Sequence, residues 1–379
     1  MQEPQIRSRG RLNRPGFFVI AVLVAAFLSI PASSWGGSDR ATALVLPTGK
    51  VKCGATSAGD DPCLLPAKAP AGKHVKIAFF GIAGVDYTVV VQKAVIRTAK
   101  ANNASVDVFL NAFDPAAEAR QLQDAITQDK YDAYIIEPVN PAALKPLLKQ
   151  LVKKGRPFST WVLTNGTNDT TAKIQFPGQL LQTTRTPASQ AQDLAAGTVA
   201  ACGSKNPCNV GYIRGLPVLA FDNAMVKAFK ASISKYPKIK ILSTVIGQYS
   251  TAGAQKAMQD LLQAHPDVDV VATHSDGMTL GAENAVKAAG KTGQVQFTSM
   301  GGGSYAVKAI KAGRWFSSAL VLPTNEGIVN TITVIAAARG VKVPPLGIAI
   351  IDTRGTLPSN LSRKNLPSWL TFKGQYLGI

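Results

Sequence analysis

The stretch Gln263–Ala282, QAHPDVDVVATHSDGMTLGA, contains a helix end, a turn, a buried strand and the start of the next helix. Upstream, Ala254, Met258, Leu261 and Leu262 form one apolar helical stripe, and His265-Pro266-Asp267 stops it. Val268–Thr273 is then a short apolar run bounded by turn residues, the pattern of a strand covered on both faces. After it, Asp276 reads as the N-cap of a helix over Met278–Ala289. Helix, turn, strand, loop and helix in this order is the repeating unit of an α/β sheet.

The same unit recurs in both directions from there. Strand-like runs are expected at Val75–Phe80, Val106–Leu110, Ala133–Ile136, Phe158–Leu163, Asn209–Ile213, Ile239–Ile246, Val295–Met300 and Phe316–Leu322. Between them, Asp114-Pro115 and Asn140-Pro141 place a capping side chain before a proline at the first helical position. Leu144, Leu147, Leu148 and Leu151 share one helical face, as do Ala119, Leu122 and Ile126; Val226, Phe229 and Ile233; and Ile328, Ile332 and Ile335. This βα repetition is too long for one open sheet, so two doubly wound Rossmann-like lobes are expected.

The chain has 379 residues, 46% of them hydrophobic, which excludes disorder as its dominant state. No apolar run of about 20 residues follows the N-terminus, so a multi-span membrane protein is excluded. With four Cys and three His in no metal spacing, neither a metal site nor a cofactor is expected. Residues 1–35 read as a signal peptide: Arg7, Arg9, Arg11 and Arg14 precede the apolar segment Phe17–Ile30 and a run of small residues. An uncleaved anchor is the alternative. Residues 36–73 form a Gly/Pro-rich segment holding Cys53 and Cys63. Export favours two local disulfides, Cys53–Cys63 and Cys202–Cys208. The formal charge is +19, and still +16 without residues 1–35, which hold four Arg and one Glu. The basic residues are scattered without interleaved aromatics, so nucleic acid is not an expected partner and a solvated surface is.

In open α/β sheets ligands lie beyond the carboxyl ends of the strands. Those loops are Gly81–Tyr87, Glu137–Asn140, Thr164–Gly166, Arg214–Asn223, Gln248–Ser250, His274–Gly277 and Gly301–Ser304. Neither glycine-rich loop has a nucleotide-binding spacing, so both read as tight turns. His274, Ser275 and Asp276 are adjacent and cannot by themselves form a triad, and no catalytic residue is assigned. Tyr87 and Tyr249 fall in loops of different lobes, as would the two walls of a stacking sandwich on a flat ligand.

Gln263–Ala282, together with VKIAFFGIAG from Val75, YDAYIIEPVNPAAL from Tyr131 and VQFTSMGG from Val295, resembles the ribose/galactose-type periplasmic binding proteins, the type I solute receptors of ABC importers. The resemblance runs over about His74–Val343. It implies the type I periplasmic-binding-protein fold, with two lobes joined by a three-segment hinge and a ligand cleft between them. Lobe 1 is then 74–176 plus 323–348, and lobe 2 is 177–322 plus part of 349–379, with crossings near Gln175–Gly178, Leu320–Thr324 and Gly347–Thr353. Carried onto this chain, the family's ligand positions fall at Asp86, Tyr87, Glu137, Asn165, Asn223, Tyr249, Ser275, Asp276 and Gly302. The usual sugar-clamping side chains are replaced by Val162, Leu163, Gly301 and Val321, which implies a less hydroxylated ligand.

The resemblance further implies a monomeric, non-enzymatic protein in the periplasm or on the outer face of the cytoplasmic membrane. It would deliver a sugar, polyol or related compound to an ABC permease. A sensor docking on a membrane histidine kinase or chemoreceptor is the alternative, and an exported hydrolase using Glu137 or His274 is a third reading.

Overall fold

The computed structural model describes residues 68–168, 170–348 and 360–366, and a short antiparallel pair of strands, β1 (Val45–Leu46) and β2 (Gly49–Lys50). The expected signal peptide and the Cys53–Cys63 pair lie outside the described residues.

The first lobe alternates strand and helix: β3 (Val75–Ile82), α1 (Asp86–Ala101), β4 (Ala104–Asn111), α2 (Pro115–Gln128), β5 (Ala133–Ile136), α3 (Pro141–Lys153), β6 (Phe158–Trp161) and β7 (Leu181–Thr183). The second continues with α4 (Pro187–Cys202), β8 (Cys208–Arg214), α5 (Ala220–Ile233), β9 (Ile239–Ile246), α6 (Thr251–Ala264), β10 (Val270–Thr273), α7 (Asp276–Ala288), β11 (Gln296–Gly301), α8 (Ser304–Lys311) and β12 (Ser317–Leu320). The chain then returns to the first lobe with α9 (Pro323–Ala338) and β13 (Leu346–Ile348), and ends in the second with β14 (Asn360–Ser362). The first sheet has the order β13-β7-β6-β5-β3-β4 and is parallel throughout. The second has the order β14-β12-β11-β10-β8-β9, with only β14 antiparallel.

One lobe boundary differs from expectation. Leu181–Thr183 pairs with β6 on one side and β13 on the other, so the first crossing follows Thr183 and not residue 176. A three-residue strand with Gln182 at its centre carries no apolar run to betray it. The second crossing, between β12 and α9, lies within the expected Leu320–Thr324. The third follows Ile348, and its residues beyond that point lie outside the described set.

Local chemistry sets the helix starts. Asp114 accepts from the backbone N–H groups of Ala116 and Ala117, and Asn140 from those of Ala142 and Ala143, each just before a proline at the first helical position. Leu144, Leu147, Leu148 and Leu151 are buried, as are Ala254, Met258, Leu261 and Leu262, so both stripes are core faces. Two helix pairs cross so closely that glycine is required at the contact. A Cβ at Gly327 of α9 would lie 2.7 Å from Ala94 Cβ of α1, and one at Gly281 of α7 would lie 2.1 Å from the Thr251 carbonyl oxygen of α6. Cys202 and Cys208 form a disulfide joining the end of α4 to the start of β8. Among the described residues no helix is long and apolar enough to cross a membrane.

Candidate functional site

The carboxyl ends of the two sheets meet around a cavity of about 120 Å³. Asp86, Tyr87 and Glu137 line it from the first lobe, and Tyr249, Ser275 and Asp276 from the second. Val162, Leu163, Gly301 and Val321, which the resemblance put at positions of sugar-clamping side chains, line it too.

Three of the expected residues lie elsewhere. Asn165 is buried in the loop after β6, with its backbone N–H donating to Gln182 and its amide to Gln179. Asn223 is not among the lining residues; it accepts from Arg214 and donates to the Pro217 carbonyl oxygen. Gly302 is a turn residue at φ 79°, its N–H donating to Ser318 Oγ; the preceding Gly301 is the one at the wall. A further difference concerns the cap of α7. Ser275, not Asp276, takes the Met278 N–H, which frees Asp276 to turn inward.

Tyr87 and Tyr249, expected as two walls about a flat ligand, both line the cavity, and each also stacks on another ring. Tyr87 lies parallel to Trp161 within the first lobe at 6.2 Å between centroids. Tyr249 stacks across the cleft on Phe113 at 5.9 Å. A second contact between lobes is the Tyr305 hydroxyl donating to Asp86 Oδ2 at 2.7 Å. The backbone is strained where these rings are held. Phe113, Val162 and Tyr249 line the cavity with φ of 59°, 58° and 50°, a region bulky and β-branched residues avoid. Strain of about 1–3 kcal/mol per residue persists only where surrounding contacts enforce it, and it collects at functional sites. Here the Tyr249 hydroxyl donates to Asp222 Oδ1 at 2.6 Å and fixes the ring.

The carboxyls differ between the lobes. Asp222, wholly buried behind Tyr249, also accepts from the Leu216 N–H at 2.6 Å and pairs with His274 Nδ1 at 2.8 Å, while His274 Nε2 bonds the Tyr212 hydroxyl. Burial and the adjacent Asp222 push the Tyr249 hydroxyl well above its ordinary pKa. Asp276 accepts from Ser299 Oγ at 2.5 Å, Ser318 Oγ at 2.8 Å and the Gly303 N–H at 2.8 Å. Burial raises its pKa to about 6, and these donors hold it from going higher.

In the first lobe, among the described residues, Glu137 accepts from the Ile82 N–H at 3.2 Å and Thr88 Oγ1 at 3.4 Å. Burial, then the neighbouring Glu118 carboxyl, pushes its pKa well above the carboxylate range. Glu118 is buried behind it and accepts from the Val139 N–H at 3.0 Å, and burial raises it to about 8 against the lowering effect of the Val139 and Asn140 backbone N–H groups. Glu326 takes the Tyr87 hydroxyl at 2.9 Å and is likewise raised by burial to about 8.

Phe113, Arg185, Tyr305 and Glu326 were not foreseen from the sequence, yet all line the cavity. Phe113 follows β4, and the loop at that carboxyl end was a readable signal. Tyr305 directly follows the Gly301–Ser304 loop. Arg185 follows the unread strand β7, and Glu326 reaches the cleft only because α9 returns to the first lobe.

The sequence profile described as a periplasmic binding protein domain matches residues 77–340. The chain is similar to a xylitol-binding protein of Mycolicibacterium smegmatis, 26% identical over 253 residues, 65% of this chain and 68% of the relative. It is also similar to a D-ribose/D-allose-binding protein of Pseudomonas aeruginosa, 24% identical over 233 residues, 60% and 69% of the two chains. Among solved structures, a galactofuranose binding protein superposes with a TM-score of 0.66 at 16% identity, covering 76% of this chain and 95% of that one. An ABC transporter solute binding protein from Mycobacterium smegmatis with bound glycerol gives 0.64 at 24% identity, covering 78% and 96%. At these identities the superpositions speak to the fold.

Proposed function

The chain belongs to the periplasmic binding protein family, and from that premise we propose that it is an exported, non-enzymatic receptor that captures a small sugar- or polyol-like solute and passes it to an ABC importer. The ligand sits between Tyr87 and Glu137 of one lobe and Tyr249 and Ser275 of the other. Closure about the three crossings brings Phe113 onto Tyr249 and Tyr305 onto Asp86, and the closed form is what the permease receives. The observation that carries this reading is the cavity itself, walled by both lobes and bridged by those two contacts. The relatives named for xylitol and for ribose and allose support a five- or six-carbon sugar or polyol as the size of ligand.

Thermal unfolding of residues 36–379 against pentoses, pentitols, hexoses, organic acids and amines tests it. A ligand at a thousand times its Kd adds about 4 kcal/mol of stability. The shift is expected in wild type and lost in Tyr249→Ala. A flat response across the panel, or a shift that survives Tyr249→Ala combined with Glu137→Ala, would count against the reading.

A further inference from the structure

The ionisable groups on the cavity wall are unbalanced. Asp86, Glu137, Asp276 and Glu326 contribute carboxyls, and Arg185 is the one Lys or Arg among the described lining residues. That guanidinium is already engaged, by an ion pair with Asp193, by Ser189 Oγ at 2.9 Å and by the Leu320 carbonyl oxygen at 3.0 Å. Glu137 and Glu326 are 5% and 3% exposed, and no ion pair reaches either of them among the described residues. Glu118, also buried and without a cation among the described residues, adds a third carboxyl behind Glu137.

An uncompensated buried carboxylate costs several kcal/mol, so such groups either stay protonated or meet a cation. Aromatic walls favour the second outcome when a ligand arrives. Tyr87, Phe113, Phe221, Tyr249 and Tyr305 all border the cavity, and ring faces attract ammonium groups by about 0.5–2 kcal/mol. Meanwhile Val162, Leu163, Gly301 and Val321 offer a polyol no side-chain donor.

Resting on the solute-receptor reading above, we propose that the ligand is a small hydroxylated amine, whose ammonium group supplies the counter-charge to Glu137 and Glu326 against the ring of Tyr87. The apolar stretch of the wall takes its carbon face, and the carboxyl oxygens take its hydroxyl and ammonium protons. The positive charge of the whole chain does not extend to this cleft, so an anionic solute is disfavoured. Burial holds Glu326 at about 8 and Glu137 well above the carboxylate range, so before the ligand arrives they carry protons; when the single ammonium binds, one of the two releases its proton to solvent and pairs with it, and the other stays neutral and shares the hydrogen bond.

The test is a matched pair in calorimetry at pH 7: a pentitol and its 1-amino-1-deoxy counterpart, titrated into wild type and into Glu137→Gln combined with Glu326→Gln. The amine is expected to bind at least tenfold more tightly to wild type, and that advantage is expected to shrink to threefold or less in the double variant. If the variant fails to fold, the wild-type comparison alone decides. A pentitol that binds wild type as well as or better than the amine overturns the charged-ligand proposal and leaves the solute receptor standing. Failure of both compounds to bind at millimolar concentration overturns the charged-ligand proposal and weighs against a pentitol-sized solute as well.

Discussion

In the second lobe, Asp222 and Asp276 each gather three hydrogen bonds; in the first, among the described residues, Glu137 has two long ones, Glu118 is held by backbone N–H groups alone, and neither has a cation within reach. Both sets of carboxyls are buried, so the difference lies in how many donors the fold aims at them. The second lobe is built around carboxylates already solvated by protein, which fixes Tyr249 and the Gly301–Gly303 turn in place. The first lobe leaves its carboxyls to be neutralised by protons or by whatever enters. One wall holds carboxyls with their donors in place, and the other holds carboxyls that burial keeps neutral.

The largest expected effect breaks this contrast if it fails. Asp276→Asn puts an N–H donor against either the Ser299 and Ser318 hydroxyls on Oδ1 or the Gly303 N–H on Oδ2, and should cost about 3 kcal/mol of stability in urea unfolding. Glu137→Gln keeps the shape of a group held neutral and should cost less than about 1 kcal/mol. Equal losses at the two positions would remove the distinction.

A smaller effect is the pH profile. Glu118 and Glu326 are raised in the folded protein to about 8 from 4.5. The native state therefore binds more protons than the unfolded state between those values. Their contribution is full below about 4.5 and is lost as pH rises through 8. Asp276 acts in the same direction over a lower window, ending at about 6. Denaturant unfolding at pH 5 to 8 should show stability falling with pH, and Glu118→Gln should flatten the slope above pH 6, by on the order of 1–2 kcal/mol across the range. Stability that rises over that range, or an unaltered slope in the variant, would count against neutral first-lobe carboxyls.

The smallest effect is at the seam. Tyr305→Phe deletes a partly exposed hydrogen bond to Asp86 and should weaken binding of a solute found by the thermal screen by about two- to fivefold, roughly 0.5–1 kcal/mol. A loss of a hundredfold would instead make Tyr305 a direct grip on the ligand.

The longer strands of both lobes were legible because each is rich in apolar and β-branched residues and lies between turn residues, even where Lys76, Asp107 or Lys240 interrupts the run. β7, β13 and β14 were not, since LQT, LGI and NLS are too short to show a pattern and owe their place to neighbouring strands. Missing β7 displaced the first crossing and hid Arg185. Within the site, Tyr87, Glu137, Tyr249 and Asp276 could be placed by their position after a strand. Asn165 and Asn223 follow strands too, but their amides were taken by nearby groups, a choice set by tertiary contacts. The left-handed backbone of Val162 and Tyr249 runs against local preference, and no single-residue propensity could announce it.

The central claim is that the cleft between the lobes is where a small solute is held. Calorimetric titration of the strongest ligand from the thermal screen into wild type, Tyr249→Ala and the remote surface variant Tyr236→Ala tests it most directly. One site of equal affinity in wild type and Tyr236→Ala, weakened at least tenfold in Tyr249→Ala, is the predicted result. Binding to Tyr249→Ala with wild-type affinity would contradict it.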